Sequence, residues 1–326
     1  MDLIESYRDE LRLIRKPWTR LWVGLLIVGS ILLPWVAPHY LTYLGTLIAI
    51  YAIGTMGQNL LIGYTGQVSF GQAGFLAVGA YSFAHLVRAG VPVPLSVLGG
   101  GLAAAIFGIP VGFPSLRLKG PYLAVVTLGF GIAVYQIFAN SEVISGGRMG
   151  LAVPKLDPHL GIPKHIAIYY IHFLLALLFT LASYNLVASY MGRAFVAIRD
   201  NDIAAESMGV NLTRYKLTSF AISSFYTGIQ GALYAQLMGY LEPNMFTYAE
   251  AINLLVAVTV GGLASVEGSI FGAAFVILIP QIFSGYKEFI PVVFGVTVFI
   301  VLIFEPLGLS GRWLKMRFYM RNWPFR

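Results

Sequence analysis

Ten successive stretches of this sequence run apolar for about the length, roughly 20 residues, that an α-helix needs to cross the roughly 30 Å hydrocarbon core of a bilayer. They fall near 21–38, 41–62, 74–88, 93–113, 121–139, 165–188, 217–238, 249–264, 268–285 and 289–307. In hydrocarbon every backbone N–H and C=O must be satisfied within the protein, so such stretches fold as helices. The predicted fold is therefore all-α and polytopic, with about ten transmembrane helices. Two stretches, 74–88 and 249–264, are short and flanked by glycine, which predicts broken or re-entrant helices whose backbone lines a cavity. Composition agrees, since only 11% of residues are charged and mean hydropathy is +0.77, whereas soluble domains carry about 25% charged residues.

Basic residues orient the chain. Sixteen of the 21 Lys and Arg fall in residues 1–20, at Arg117 and Lys119, in the segment 192–216, and from Arg312 to Arg326. The other five, Arg88, Arg148, Lys155, Lys164 and Lys287, lie in the intervening loops on the opposite side. Lys and Arg concentrate on the cytoplasmic side, which predicts an even number of spans with both termini inside. The expected organisation is a cytoplasmic segment at 1–20, a transmembrane domain at 21–307 with an external loop at 140–164, and a cytoplasmic tail at 308–326. No A-x-A site follows the first apolar run, so no cleaved signal peptide is expected. The net charge of +7 is accounted for by this orientation and by contact with membrane lipid, and no nucleic-acid partner is expected.

Several chemistries are disfavoured by what the spans contain. There is no cysteine, and the histidines at 39, 85, 159, 165 and 172 have no metal-ligand spacing, so no metal site is expected. No cluster of His, Asp and Glu gathers at one membrane face, as an integral membrane enzyme requires. Ion-coupled secondary carriers keep ionisable groups inside the membrane, but here only His85 and His172, apart from tyrosines, lie well inside a span. None of the seven lysines stands in a G-x-x-x-x-G-K-[S/T] phosphate loop. No cofactor is expected in this chain, and any ATP that drives it is bound by a partner subunit.

Against this apolar background the segment 192–216, GRAFVAIRDNDIAAESMGVNLTRYK, holds seven charges in 25 residues. It must lie in water or against another protein. Asp200, Asn201 and Asp202 are helix-capping residue types, Ile203 to Met208 suffices for about two turns, and Gly209 with Asn211 supplies a stop. A short helix along the membrane surface is predicted, as a pore needs if its motor is a separate protein. A second informative stretch, Gly63 to Gly79, carries five glycines in seventeen residues with Gln67, Ser69 and Gln72 among them. Glycine costs about 1 kcal/mol against alanine in a helix, so close approach of a neighbouring span or a polar path must repay it. Gln67, Ser69 and Gln72 are candidates to line such a path. Asn59-Leu60-Leu61 and Asn253-Leu254-Leu255 precede this stretch and a similar one at Gly261 to Gly272, which suggests an internal duplication and adds Asn59 and Asn253 to the candidates. Gly108-x-x-x-Gly112 and Gly228-x-x-Gly231 read as packing faces. The proline- and glycine-rich loop 140–164 is suited to dock an extracytoplasmic partner or cap the outer mouth.

The blocks GYTGQVSFGQAGFLAVGAY from Gly63, RLKGPYLAVVTLGFG at 117–131, ISGGRMGL at 144–151 and GRAFVAIRDNDIAAESMGVNLTRYKLTSFAISSFYTGIQGALYA at 192–235 resemble the branched-chain amino acid permeases of bacterial ABC importers. The resemblance runs from about residue 40 to 307. It implies a transport subunit of the inner membrane rather than an enzyme. It also implies a second homologous permease, ATP-binding subunits, and a soluble binding protein that delivers leucine, isoleucine or valine. Permeases for urea, amides and other amino acids share the family. The resemblance places the coupling to the ATP-binding subunit on Ala204, Ala205, Glu206 and Gly209, with Arg193 and Asp202 in the same loop. The Ala-Ala-Glu order here differs from the Glu-Ala-Ala of the wider importer superfamily.

Overall fold

The computed structural model describes residues 28–118, 120–154, 163–283, 290–304 and 308–311. The expected terminal segment 1–20, the tail beyond 311, and Lys155 and Lys287 lie outside the described residues. The helices are α1 (28–36), α2 (His39–Asn59), α3 (Gln72–Arg88), α4 (Val93–Gly112), α5 (Pro121–Asn140), α6 (Glu142–Ser145) and α7 (Lys164–Ala188). They continue as α8 (Tyr190–Asp200), α9 (Asp202–Ser207), α10 (Leu212–Met238), α11 (Tyr248–Gly261), α12 (Val266–Ile282) and α13 (Ile290–Phe304). One antiparallel pair, β1 (Leu151–Ala152) with β2 (Tyr240–Leu241), joins two loops. Among the described residues the only strand residues are these four, and the fold is all-α as the apolar pattern predicts.

Local chemistry sets the helix starts. Proline marks four of them: Pro121 is the first residue of α5, where its fixed φ fits the first turn and its missing N–H leaves nothing unsatisfied, and Pro38, Pro92 and Pro163 stand in extended conformation just before α2, α4 and α7. Among the described residues, four segments are long and apolar enough to cross a membrane: His39–Tyr64, Val93–Leu116, Pro121–Asn140 and Lys164–Ala188. The first is 89% buried in protein over its apolar window, against 33–39% for the other three, so α2 lies inside the bundle and α4, α5 and α7 face outward. At 27 residues α10 is long enough to span, as the apolar stretch 217–238 predicts, but it is more polar than α2, α4, α5 and α7. The reason is its surroundings: it packs against α2, α3 and α4, and its Ser219, Ser223, Ser224, Thr227 and Gln230 turn into those interfaces.

Small residues allow this packing. A Cβ added to Gly231 of α10 would lie 2.1 Å from the Leu76 carbonyl oxygen of α3, and one on Gly79 of α3 would lie 2.2 Å from the Gly228 carbonyl oxygen. On α4, a Cβ at Gly100 would meet the Gly79 carbonyl oxygen at 2.7 Å, and one at Gly108 would meet Ser224 Oγ at 2.1 Å. The backbones of α3, α4 and α10 therefore touch directly, and Gly79, Gly108, Gly228 and Gly231 serve as packing faces.

The two glycine-flanked stretches form short helices. The 14 residues of α11 rise only about 21 Å, short of the roughly 30 Å core, and the helix stops at Gly261 before a turn in which Gly262 and Ala264 take positive φ. α3 begins at Gln72 after a non-helical segment that follows a wide π-helical turn, Leu60–Tyr64, at the end of α2. At the opposite end of the bundle the loop after α5 folds onto the loop after α10. Leu151 pairs with Leu241 and Ala152 with Tyr240, the Tyr240 hydroxyl donates to the Met149 carbonyl, and Tyr135 donates to Asn244 Oδ1 at 3.0 Å. The described part of the loop 140–164 is thus a folded cap.

Candidate coupling interface

Three side-chain caps shape the polar segment. Ser189 Oγ accepts from the N–H groups of Met191 and Gly192 at 3.2 and 3.4 Å and opens α8. Asn201 Oδ1 accepts from Ala204 N–H at 3.1 Å and opens α9, and Asn211 Oδ1 accepts from Arg214 N–H at 2.9 Å and opens α10. The predicted short helix is present, but its surroundings differ from expectation. Residues 192–200 belong to α8 rather than to a loop, α10 starts at Leu212 rather than 217, and Asn211 starts a helix instead of stopping one. The stop is Gly209, whose φ of +86° few side chains adopt. Nothing lies within 4 Å of the Cβ that Gly209 lacks, so its conformation, not space, requires glycine.

The coupling candidates divide by environment. Ala205 is buried against the bundle, whereas Ala204, Glu206 and Gly209 are exposed. Beside them project two apolar side chains at the ends of the predicted short helix, Ile203 at 71% and Met208 at 86% exposure, which nothing in the local sequence marks as contact residues. Asp202, the first residue of α9, turns inward to the nearly buried Lys216 of α10, with Oδ2 3.5 Å from Nζ. Its carboxylate also suits the helix N-terminus. Arg193 lies on α8, where Nη1 donates to the Ala188 carbonyl at 3.2 Å and the guanidinium carbon is 5.8 Å from the centre of the Tyr190 ring. It ties α8 to the end of α7.

Behind α9 a cavity of about 350 Å³ opens between Thr65, Gly66 and Gln67 on one side and Ile198 to Asp202 with Lys216 on the other. Arg199 bridges the two sides: Nη1 donates to the Gly63 carbonyl at 3.0 Å. A lone arginine in a charged loop carries no signal of such a contact.

The polar candidates inside the bundle sit in hydrogen-bonded junctions. Asn59 Nδ2 donates to the carbonyls of Gly262 and Ser265 and to Ser269 Oγ at 3.2, 2.8 and 2.9 Å, while Oδ1 accepts from Ala264 N–H at 2.9 Å. Gln67 Nε2 donates to Ser219 Oγ at 2.7 Å, and Gln72 Nε2 donates to Ser223 Oγ at 3.0 Å as Thr227 Oγ1 donates to Gln72 Oε1 at 2.6 Å. Ser69 is buried; its carbonyl accepts from Gln58 Nε2 at 3.0 Å and its Oγ from Gly71 N–H at 3.2 Å. Asn253 stays on its own helix and donates to Glu250 Oε2 at 3.2 Å. Gln67 and Gln72 therefore join the start of α3 to α10, Asn59 joins α2 to the α11–α12 turn, and Asn253 belongs to neither junction.

Residues 40–305 match the family described as "Branched-chain amino acid transport system / permease component". The chain is 32% identical over 321 residues to the high-affinity branched-chain amino acid transport system permease protein LivM of Escherichia coli, covering 89% of this chain and 74% of that protein. A probable branched-chain amino acid transport permease protein LivM of Methanocaldococcus jannaschii is 25% identical, with 89% of this chain and 91% of that protein covered. The autoinducer 2 import system permease protein LsrC of Salmonella paratyphi B is 26% identical over 66% of this chain and 64% of its own length. Among solved structures, PsaBC from Streptococcus pneumoniae in complex with Fab aligns with a TM-score of 0.45 at 13% identity, covering 89% of this chain and 99% of that one. With a polar surface helix braced against a glycine-rich helical bundle and the family matched over most of its length, the chain belongs to the branched-chain amino acid transport permease family.

Proposed function

We propose that this chain is a permease subunit of an ATP-driven importer in a bacterial inner membrane, moving leucine, isoleucine and valine inward. The observation that carries the reading is α9: a capped helix at one end of an apolar bundle, presenting Ile203, Ala204, Glu206 and Met208 outward beside a glycine stop. Such a surface suits a cleft in an ATP-binding subunit, which supplies the nucleotide and its hydrolysis. Ten spans with both termini in the cytoplasm put α9 on the side where ATP is. The folded cap of 140–154 and 239–246 then faces outward, where a soluble binding protein releases its solute. A second, homologous permease supplies the other wall of the path. Solute choice rests mainly with the binding protein, which accords with the absence of paired opposite charges within the spans and with a relative named for autoinducer 2 import.

The test is reconstitution of the chain with its partner permease, ATP-binding subunits and binding protein in proteoliposomes. Uptake of radiolabelled L-leucine is expected to require ATP and every subunit. Uptake that persists without the ATP-binding subunits would overturn the proposal.

A further inference from the structure

Arg199 stands where the surface helix meets the bundle. It is the penultimate residue of α8, and Asp200 Oδ1 holds its Nε and Nη2 at 3.0 and 2.9 Å. The remaining nitrogen, Nη1, is thereby aimed at the Gly63 carbonyl, 3.0 Å away. The stem is held as well. Gly66, at φ +70°, brings the following turn so close that a Cβ there would lie 3.1 Å from Arg199 Cγ. On the far side of the same segment, a Cβ on Gly63 would lie 2.0 Å from Asn59 Oδ1 and 2.4 Å from Ala264 N. Gly63 is thus clasped between Arg199 on one side and the Asn59 junction with the α11–α12 turn on the other.

The clasped residue belongs to the π-helical turn Leu60–Tyr64. A π turn is an under-wound segment that returns to α geometry when its hydrogen bonds shift by one residue, and such turns occur frequently at functional sites. It therefore offers two discrete arrangements to the end of α2, which packs against α7, α10 and α12. Covalent continuity joins the surface helices only to α7 and α10. The Arg199 contact adds a direct connection to α2.

We propose that Arg199 is a positioning residue that transmits displacement of α9 to the π turn of α2 through the Gly63 carbonyl, and onward through Asn59 to the α11–α12 turn. The proposal rests on the reading of the chain as an ATP-driven permease. The Lys216–Asp202 pair keeps α9 seated on α10, and α9 packs directly against α8, which carries Arg199.

The complete importer in proteoliposomes provides the test, with leucine uptake and ATP hydrolysis measured on the same preparation. Arg199→Ala is expected to lower leucine moved per ATP hydrolysed about three- to tenfold, in a complex that still elutes as one assembled species. Arg199→Lys, which keeps a donor, recovers most of the loss. Gly66→Ala strains the turn at φ +70° and presses on the arginine stem from the other side, so it gives at least a similar loss, and the double variant is no worse than the poorer single one, because both disturb one contact. A wild-type ratio in Arg199→Ala, or losses that multiply in the double variant, would overturn the proposal. If Arg199→Ala does not assemble, Gly66→Ala decides by the same ratio, a wild-type value again overturning it. If the wild-type complex takes up no leucine, the solute assignment fails separately. Binding-protein stimulation of ATP hydrolysis then takes the place of uptake, a loss in Arg199→Ala supporting the link and an unchanged stimulation refuting it.

Discussion

Asn59 makes four side-chain hydrogen bonds in the bundle's interior. Its carboxamide satisfies two carbonyls, one hydroxyl and the N–H of Ala264, whose φ of +56° is the sole positive value among described non-glycine residues. That backbone strain persists because the surroundings enforce it. Asn59→Leu leaves the Ala264 N–H and the Gly262 and Ser265 carbonyls without this partner, at about 1–3 kcal/mol for each group that stays buried. We expect it to lower the thermal unfolding midpoint in detergent by several degrees. Asn59→Asp keeps the acceptor for Ala264 but sets a carboxylate oxygen against two carbonyl oxygens. It should therefore be no better than leucine, and recovery of stability in the aspartate variant would show that only the Ala264 contact matters. The sequence marks Asn59 as a polar residue in an apolar span, and so as a candidate for a path. Its partners stand 203 to 210 residues further on, and no local pattern reveals such a junction.

At the scale of elements, what the sequence made legible was apolar length and small-residue spacing; what it hid was set by context. Gly228-x-x-Gly231 and Gly108-x-x-x-Gly112 are readable because a smooth helix face has a periodic signature. The start of α10 is not, since Asn, Ser and Asp both open and close helices, and only the backbone shows that Asn211 does the former. That α10 is enclosed is likewise hidden: 217–238 reads as an apolar span, but only the packing shows that its hydroxyls and amides face other helices, where a lipid-facing helix could not carry them. The contrast between glycines is testable. Gly231→Val drives a side chain into the Leu76 carbonyl 2.1 Å from its Cβ and separates α10 from α3. Overpacking costs typically about 1–3 kcal/mol, occasionally more, and a rigid backbone cannot yield as a side chain can, so loss of folded protein on size-exclusion chromatography is expected. Gly129→Ala on the exposed face of α5 meets nothing within 4 Å. It should be neutral, or stabilising by up to about 1 kcal/mol through helix propensity. Equal behaviour of the two variants would mean that the seam is not what holds α3 to α10.

For the whole molecule the decisive question is what α9 touches. Ile203 and Met208 hold most of their apolar surface in the open, while Ala205 anchors the helix to the bundle, so the outward face is built for contact rather than for internal packing. Two surfaces can accept it, a cleft in an ATP-binding subunit or the headgroup region of the membrane, and both reward burial of the same side chains. Burying an Ile or Met side chain is worth about 1.5–3 kcal/mol, so Ile203→Ser or Met208→Ser should each weaken docking of an ATP-binding subunit by about tenfold or more. The measurement is the dissociation constant of purified ATP-binding subunit for permease held in nanodiscs. Glu206→Gln separates the alternatives further, because a charge paired with a basic group of a protein cleft gives an affinity that falls with added salt, and its removal flattens that dependence. Insertion of α9 into lipid predicts the reverse on every count: subunit affinity and salt dependence unchanged, with the serine variants altering only the depth at which a probe on α9 is quenched by lipid-borne quenchers. Because Arg199 ties α8 to α2 and Lys216 ties α9 to α10, weakened docking should lower leucine uptake and total ATP hydrolysis together and leave their ratio near the wild-type value, whereas the Arg199→Ala variant should lower the leucine moved per ATP hydrolysed.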